Sequence, residues 1–279
     1  MTEPFSYSGN RADPTYRAIR DEARFADVRE EIAALWSTFG PFAERGFARQ
    51  FAARFQQRYW ELYLGAMLVE EGLLSSRGEG VGPDFSIRLS TGGGAYIEAI
   101  AIEAGNGASA VPPPDGGPDP PPELALRVSD AVCAKADHRH RSIRAGRVHN
   151  SWPYVVAVNI GGLPGRVVSE DPPTASTVCL GVGAVGFTLG AEPRRFAHHV
   201  PVTSRAGAPD NPADTALFAS PSFRWLSGML ISDVNPTYAP KRDHVQFLHN
   251  PFAAAKMPIG WLARGSEWRV NNATLERMR

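Results

Sequence analysis

Three carboxylates and one amine stand in this chain among apolar neighbours. Glu61 lies in Trp60-Glu61-Leu62-Tyr63-Leu64, and Asp84 sits between Pro83 and Phe85. Glu98 interrupts the β-prone run Tyr96-Ile97-Glu98-Ala99-Ile100-Ala101-Ile102, and Lys135 follows Val132-Cys133-Ala134. An unpaired charge in such surroundings is costly, so each group needs a counter-ion, a metal or a cleft. Mg²⁺ takes oxygen ligands, typically one or two carboxylates with water and substrate phosphate. An ion held that way activates water and neutralises charge on a pentavalent phosphorane. An ammonium beside it can orient the water or stabilise the same charge. Metal-assisted phosphodiester cleavage would account for all of these residues together.

Each residue also has a plainer reading. Glu61 could pair with Arg58 on a solvated helix face. Lys135 could snorkel to water or find a carboxylate. The carboxylates could all be structural partners of arginines such as Arg54 and Arg58.

The elements that must position these groups follow from periodicity. Residues 14–38 read as one or two helices, with Ile19, Ala23, Val28, Ile32 and Leu35 near helical spacing, and Gly40-Pro41 ends them. A longer helix is expected from about Phe42 to Glu71. Its stripe of Phe47, Phe51, Phe55, Tyr59, Leu62 and Ala66 leaves Glu61 outside, with Arg54, Gln57, Arg58 and Gly65. Phe85, Ile87 and Leu89 alternate as a strand, Thr91-Gly92-Gly93-Gly94 turns, and residues 95–103 return. Alternation puts Tyr96, Glu98, Ile100 and Ile102 on one face.

Residues 105–122, rich in Pro and Gly, read as a flexible loop. A helix is expected from near Glu123, with Leu124, Val128, Ala131 and Lys135 on its inner face. Trp152 to Asn159 reads as a strand buried on both faces. Helix, hairpin, crossover helix and buried strand make a mixed central sheet flanked by helices, an α/β architecture. Further strands are expected at 176–185, 223–232 and 245–249. Loops are expected at 163–175, 189–217 and 234–243, and fraying of the charged tail from Glu267.

The chain has 279 residues, which fits one large domain or two small ones. Its 29 basic and 29 acidic residues balance, so net charge names no partner. Locally, residues 127–149 hold six Lys/Arg, three His and two Asp, a stretch that could meet an anion or simply be a solvated helix face. The two cysteines, Cys133 and Cys179, are far apart and form no CxxC, so a zinc ribbon or finger is excluded and each reads as a small buried hydrophobe. The polar N-terminus lacks a signal core and no apolar run nears a membrane span, so a cytoplasmic protein is expected.

Gly181-Val182-Gly183-Ala184-Val185-Gly186 satisfies a dinucleotide-loop pattern, but Gly190 and Pro193 leave no room for the helix that must follow. His198-His199 and His138-Arg139-His140 lack further soft ligands nearby. No G-x-S-x-G, Walker loop or HExxH occurs.

The order of helix glutamate, Pro-Asp, strand glutamate and helix lysine resembles the restriction-endonuclease-like PD-(D/E)XK nuclease superfamily, within it an uncharacterised bacterial group. Glu61 matches the glutamate of the first core helix, Pro83-Asp84 the PD motif, and Glu98 the acidic residue of (D/E)XK. The motifs cover roughly residues 45–160. Trp60-Glu61-Leu62-Tyr63 and the late Phe247-Leu248-His249-Asn250-Pro251 add to the likeness. The lysine usually found two places after the strand glutamate is Ile100 here, and Lys135 on the adjacent helix is the natural substitute.

The resemblance implies a restriction-endonuclease-like core at about 45–160, a helical extension at 1–44, and a sheet extension with loops at 161–279, all in one domain. It implies a nuclease using Mg²⁺ or Mn²⁺, held by Asp84 and Glu98 with Glu61 helping directly or through water. Lys135 would position the nucleophile, and His138, Arg139 and Arg144 would contact phosphates of a nucleic acid, expected to be DNA rather than RNA. The alternative is a binding or regulatory module that keeps the fold without catalysis, which Ile100 favours.

Overall fold

The N-terminal quarter is a helical layer built on aromatic residues. In this computed structural model the described residues are 3–9, 11–77, 82–105, 110–112, 122–163, 168–169, 173–189, 195–201, 216–237, 244–272 and 274–278. Helix α1 (Pro14–Asp21) is capped by Asp13, whose carboxylate accepts from Thr15 N at 2.7 Å. Helices α2 (Ala26–Phe39), α3 (Phe47–Ala53) and α4 (Phe55–Glu70) follow. The expected single helix of 42–71 is thus two, broken at Arg54 (φ −135°, ψ 57°). The Ala52 carbonyl, which would accept from residue 56 in a continuing helix, accepts from Asp13 N at 2.8 Å.

Helix α4 is buried at every position from Tyr59 to Leu68. Helix α2 covers one side of it, with Phe39 against Gly65 so closely that a Cβ there would stand 2.4 Å from the ring. Strand β3 packs on another side. Glu61 therefore has no solvated face; only 3% of the residue is accessible.

One mixed sheet of eight strands runs through both halves of the chain, in the order β1-β2-β3-β4-β7-β8-β9-β10. Strands β1 (Leu74–Arg77), β2 (Phe85–Arg88) and β3 (Gly94–Ala101) form an antiparallel meander. Helix α5 (Pro122–Arg144) then crosses over to β4 (Tyr154–Asn159), which pairs in parallel with both β3 and β7 (Gly228–Ser232). Buried on both faces, β4 is the uninterrupted apolar run its sequence suggests.

Tyr96, Ile100 and Ile102 pack on the α5 side with α6 (Thr174–Leu180), whereas Ala95, Ile97 and Ala99 pack on the α4 side. Glu98 shares the α5 face by alternation. Strands β8 (Val245–His249), β9 (Ser266–Asn271) and β10 (Thr274–Arg277) complete the sheet, and β5 (Val182–Leu189) with β6 (Arg195–Pro201) form a separate hairpin.

Several expectations change. The strand expected at 176–185 is α6 followed by β5, hinged at Gly181 with φ 66°. The dinucleotide-loop pattern therefore straddles a helix end and a strand and opens no helix. The tail from Glu267 is not frayed but paired in β9 and β10. Cys133 is exposed while Cys179 is buried. Most of the Pro/Gly stretch 105–122 lies outside the described residues. Among the described residues no helix is long and apolar enough to cross a membrane.

Candidate functional site

The site forms where β2 stops and β3 goes on. The two strands pair from Arg88↔Gly94 to Phe85↔Ile97, after which β3 continues to Ala101 paired with β4 but past the end of β2 on its other edge. Buried backbone groups left by a departing strand must find other partners. Asp84 turns its Oδ2 to Ala99 N at 2.8 Å. Gln57, from α4, supplies the rest: its Oε1 accepts from Ala101 N at 2.8 Å and its Nε2 donates to Ala99 O at 3.1 Å. One amide side chain and one carboxylate thus replace the missing strand. That substitution sets Asp84 beside the backbone next to Glu98.

Glu98 is 1% exposed, in the middle of the sheet. Its Oε2 accepts from Lys135 Nζ at 3.3 Å, and its Oε1 accepts from the Tyr154 hydroxyl at 3.1 Å. The same Oε1 bonds His138 Nδ1. Lys135 and His138 are three residues apart on α5 and so share its inner face. Lys135 Nζ also stands 4.0 Å from Asp84 Oδ2, bridging the two carboxylates. Lys135 therefore takes the carboxylate rather than snorkelling free.

Glu61 approaches from the α4 layer. Gln57 Nε2 donates to its Oε1 at 3.0 Å and Arg58 donates to its Oε2 at 2.7 Å. The Arg58 pair expected from sequence is present, but it is buried, and Arg58 also meets Glu44 at 2.9 Å. Gln57 links Glu61 to the β3 edge, and the Glu61 charge acts on Asp84.

The electrostatics divide the two central carboxyls. Burial raises the Asp84 pKa well above its usual range, and the negative charges of Glu98 and Glu61 raise it further, against the opposing pull of Lys135. Burial acts upward on Glu98 too, but hydrogen bonds from His138 and Asp84 and the charge of Lys135 outweigh it and hold Glu98 low. Of the two carboxyls, Asp84 is thus the one that holds a proton more readily and Glu98 the one that ionises first. Tyr154 is raised by burial and by the adjacent Glu98, so it stays a donor.

A hard divalent cation beside these two carboxyls would take oxygen donors from Asp84 and Glu98. Among the described residues no group of three or more His, Cys, Asp or Glu is arranged to hold a metal ion. The fit is accordingly to an ion that keeps most of its waters, needing one or two carboxylates.

The remaining candidates separate. His138 lies inside the cluster, in contact with Glu98. Arg139 does not line a surface open to phosphate. It is 5% exposed, donates to Asn150 Oδ1 at 2.7 Å, and lies 5.6 Å from the ring centres of both Tyr154 and Trp225. Helical geometry turns it inward one residue after His138. Arg144 is exposed near the end of α5, by a depression of about 500 Å³ lined also by Asp137, His140, Arg141 and Ile143. Residues 198–199 fall in β6, and their side chains lie outside the described structure.

Gln57, Tyr154 and the Glu98 contact of His138 escaped the sequence reading. The spacing of His138 from Lys135, and of Gln57 four residues before Glu61, was the available signal. Comparison with family models, curated proteins and solved structures found no match to this chain.

Proposed function

We propose that this protein is a Mg²⁺-dependent nuclease of the restriction-endonuclease-like PD-(D/E)XK kind, hydrolysing phosphodiester bonds of nucleic acid. One observation carries the reading: Lys135 Nζ lies 3.3 Å from Glu98 Oε2 and 4.0 Å from Asp84 Oδ2, so groups from a hairpin and a crossover helix meet in one cluster. Asp84 and Glu98 would hold Mg²⁺ or Mn²⁺. The ion, when bound, supplies a more acidic water and neutralises charge on the phosphate.

The chain's own groups do the rest. Lys135 donates toward the nucleophilic water and the developing negative oxygen. His138 and Tyr154 fix the Glu98 carboxylate in one orientation. Gln57 holds the β3 edge, and through it Glu61 bears on the Asp84 side of the cluster. Water attacks phosphorus and gives its proton to solvent, the bond to the leaving sugar oxygen breaks, and that oxygen takes up a proton from solvent.

A second reading is favoured by Ile100 and by the full engagement of Glu98. It is a nuclease-fold module that binds or regulates without cutting. Cleavage of DNA and RNA with and without Mg²⁺, by wild type and by Asp84→Ala, decides between them. Cleavage that needs the ion and is lost in the variant supports the nuclease. Binding without cleavage supports the module.

A further inference from the structure

We propose that the outer end of the aromatic row that begins at the buried Tyr96, its Trp152 and His149 rings, is a stacking platform for an unpaired base, so that the site acts on single strands or frayed ends. The proposal rests on the nuclease reading and deepens it by naming the form of the substrate.

Tyr96 shares the face of Glu98 two residues away, about 7 Å along the strand. Trp152 stacks on Tyr96 with ring centres 5.3 Å apart and planes at 28°. The His149 ring continues the row 5.2 Å from Trp152. The loop is pinned where His149 N donates to the Tyr96 hydroxyl at 3.2 Å. Tyr96 is buried, Trp152 half-buried and His149 exposed, so the row starts inside the fold on the Glu98 face and ends in solvent.

Cations flank it. His140, Arg141, Arg144 and Arg147 are exposed on the end of α5 and the loop after it. The sequence has no Asp or Glu between Asp137 and Glu170, so Asp137 is the acidic residue this stretch presents to the depression by Arg141 and Arg144.

Flat rings beside arginines have complementary partners in a single strand: phosphates for the cations and exposed base faces for the rings. A duplex offers the phosphates but keeps its bases stacked inside, and would leave the aromatic row unused. Trp152 has a structural task as well, since it covers Gly94, where a Cβ would meet its ring at 2.4 Å. His149 is exposed and its ring meets the outer side of this row at Trp152, which makes it the cleaner probe.

The test measures anisotropy of labelled single-stranded DNA, single-stranded RNA and blunt duplex DNA of one length, in EDTA at fixed salt. Single strands of at least one sugar type should bind about tenfold or more tighter than duplex. His149→Ala should weaken single-strand binding about fivefold and leave duplex binding unchanged. Arg141→Glu should weaken both and flatten the salt dependence. Trp152→Phe should bind better than Trp152→Ala, with thermal melting as the folding control.

Equal affinity for duplex and single strand, no binding of either, or single-strand binding indifferent to His149→Ala overturns the proposal. Cleavage of the same oligonucleotides in Mg²⁺ is measured in parallel. Duplex cut without strand preference removes the platform and keeps the nuclease. Single strands bound through His149 but never cut keep the platform and remove the nuclease.

Discussion

Replacing Lys135 by Met tests whether the amine and the carboxylates act as one unit. Lys135 Nζ and Glu98 Oε2 are 3.3 Å apart, with side-chain exposures of 21% and 1%. At an effective dielectric of about 20 the gross attraction is about 5 kcal/mol. Desolvation of both ions offsets much of this, and Glu98 keeps His138 and Tyr154 when the amine is gone. Partial exposure of the lysine trims it again. A coupling of about 1–3 kcal/mol should remain, the range expected for residues in one buried network.

The assay is a double-mutant cycle of Lys135→Met, Glu98→Gln and the pair, by urea unfolding at neutral pH in EDTA. The single variants should each lose stability, and the double variant should lose less than their sum by that coupling. In Mg²⁺, Lys135→Met should lower the cleavage rate by about 10²- to 10³-fold, as expected when a preorganised donor to the transition state is removed. Additivity within about 0.5 kcal/mol would show that the contact contributes nothing and would refute the argument. Undiminished cleavage by Lys135→Met would separately remove the amine from the mechanism.

Asp84→Asn should stabilise the metal-free protein, with a set pH dependence. Asp84 has a folded pKa raised above its ordinary 3.8, so its contribution is fully present below that value and lost as pH rises through the folded pKa. The advantage of Asn, followed by urea midpoints in EDTA, should be absent in acid, grow with pH and level off; a pH-independent difference would contradict the raised pKa. Gln57→Leu strands Ala99 O and Ala101 N and should cost about 1–3 kcal/mol, with faster hydrogen exchange at Ala101 as the local readout. Gly65→Ala should destabilise by about 1–3 kcal/mol in the same unfolding assay, because its methyl would enter the Phe39 ring.

The parts of the fold legible in sequence were those decided by local pattern. The β2–β3 hairpin shows in its alternation and its Gly turn, and β4 in its unbroken apolar run. Helix α5 starts where the prolines end. What stayed hidden was decided by tertiary contacts. No Gly or Pro marks the break at Arg54; Asp13 makes it by taking the Ala52 carbonyl. Thr174–Leu180 contains β-branched residues that favour a strand locally, yet it folds as α6, with all residues from Thr174 to Cys179 buried. Glu267 looked like the start of a charged tail. In the fold its carboxylate receives His249 at 2.7 Å and Gly260 N at 2.9 Å, so the charge anchors β9 inside the sheet.

The site divides in the same way. Strand alternation and helical spacing were enough to aim Glu98 and Lys135 at each other, because β3 and α5 follow regular geometry across a short gap. They could not reveal that β3 outruns β2, and Gln57 and Asp84 have their roles only because it does. Ile100 follows from the same geometry. It shares the face of Glu98 and packs against the second apolar cluster of α5 and β4. A lysine there would have to carry its charge through that packing. An amine on α5 reaches the carboxylates from above the sheet and leaves the apolar cluster intact. Lys135 thus brings the positive charge to the carboxylates from α5 without crossing the packing around Ile100.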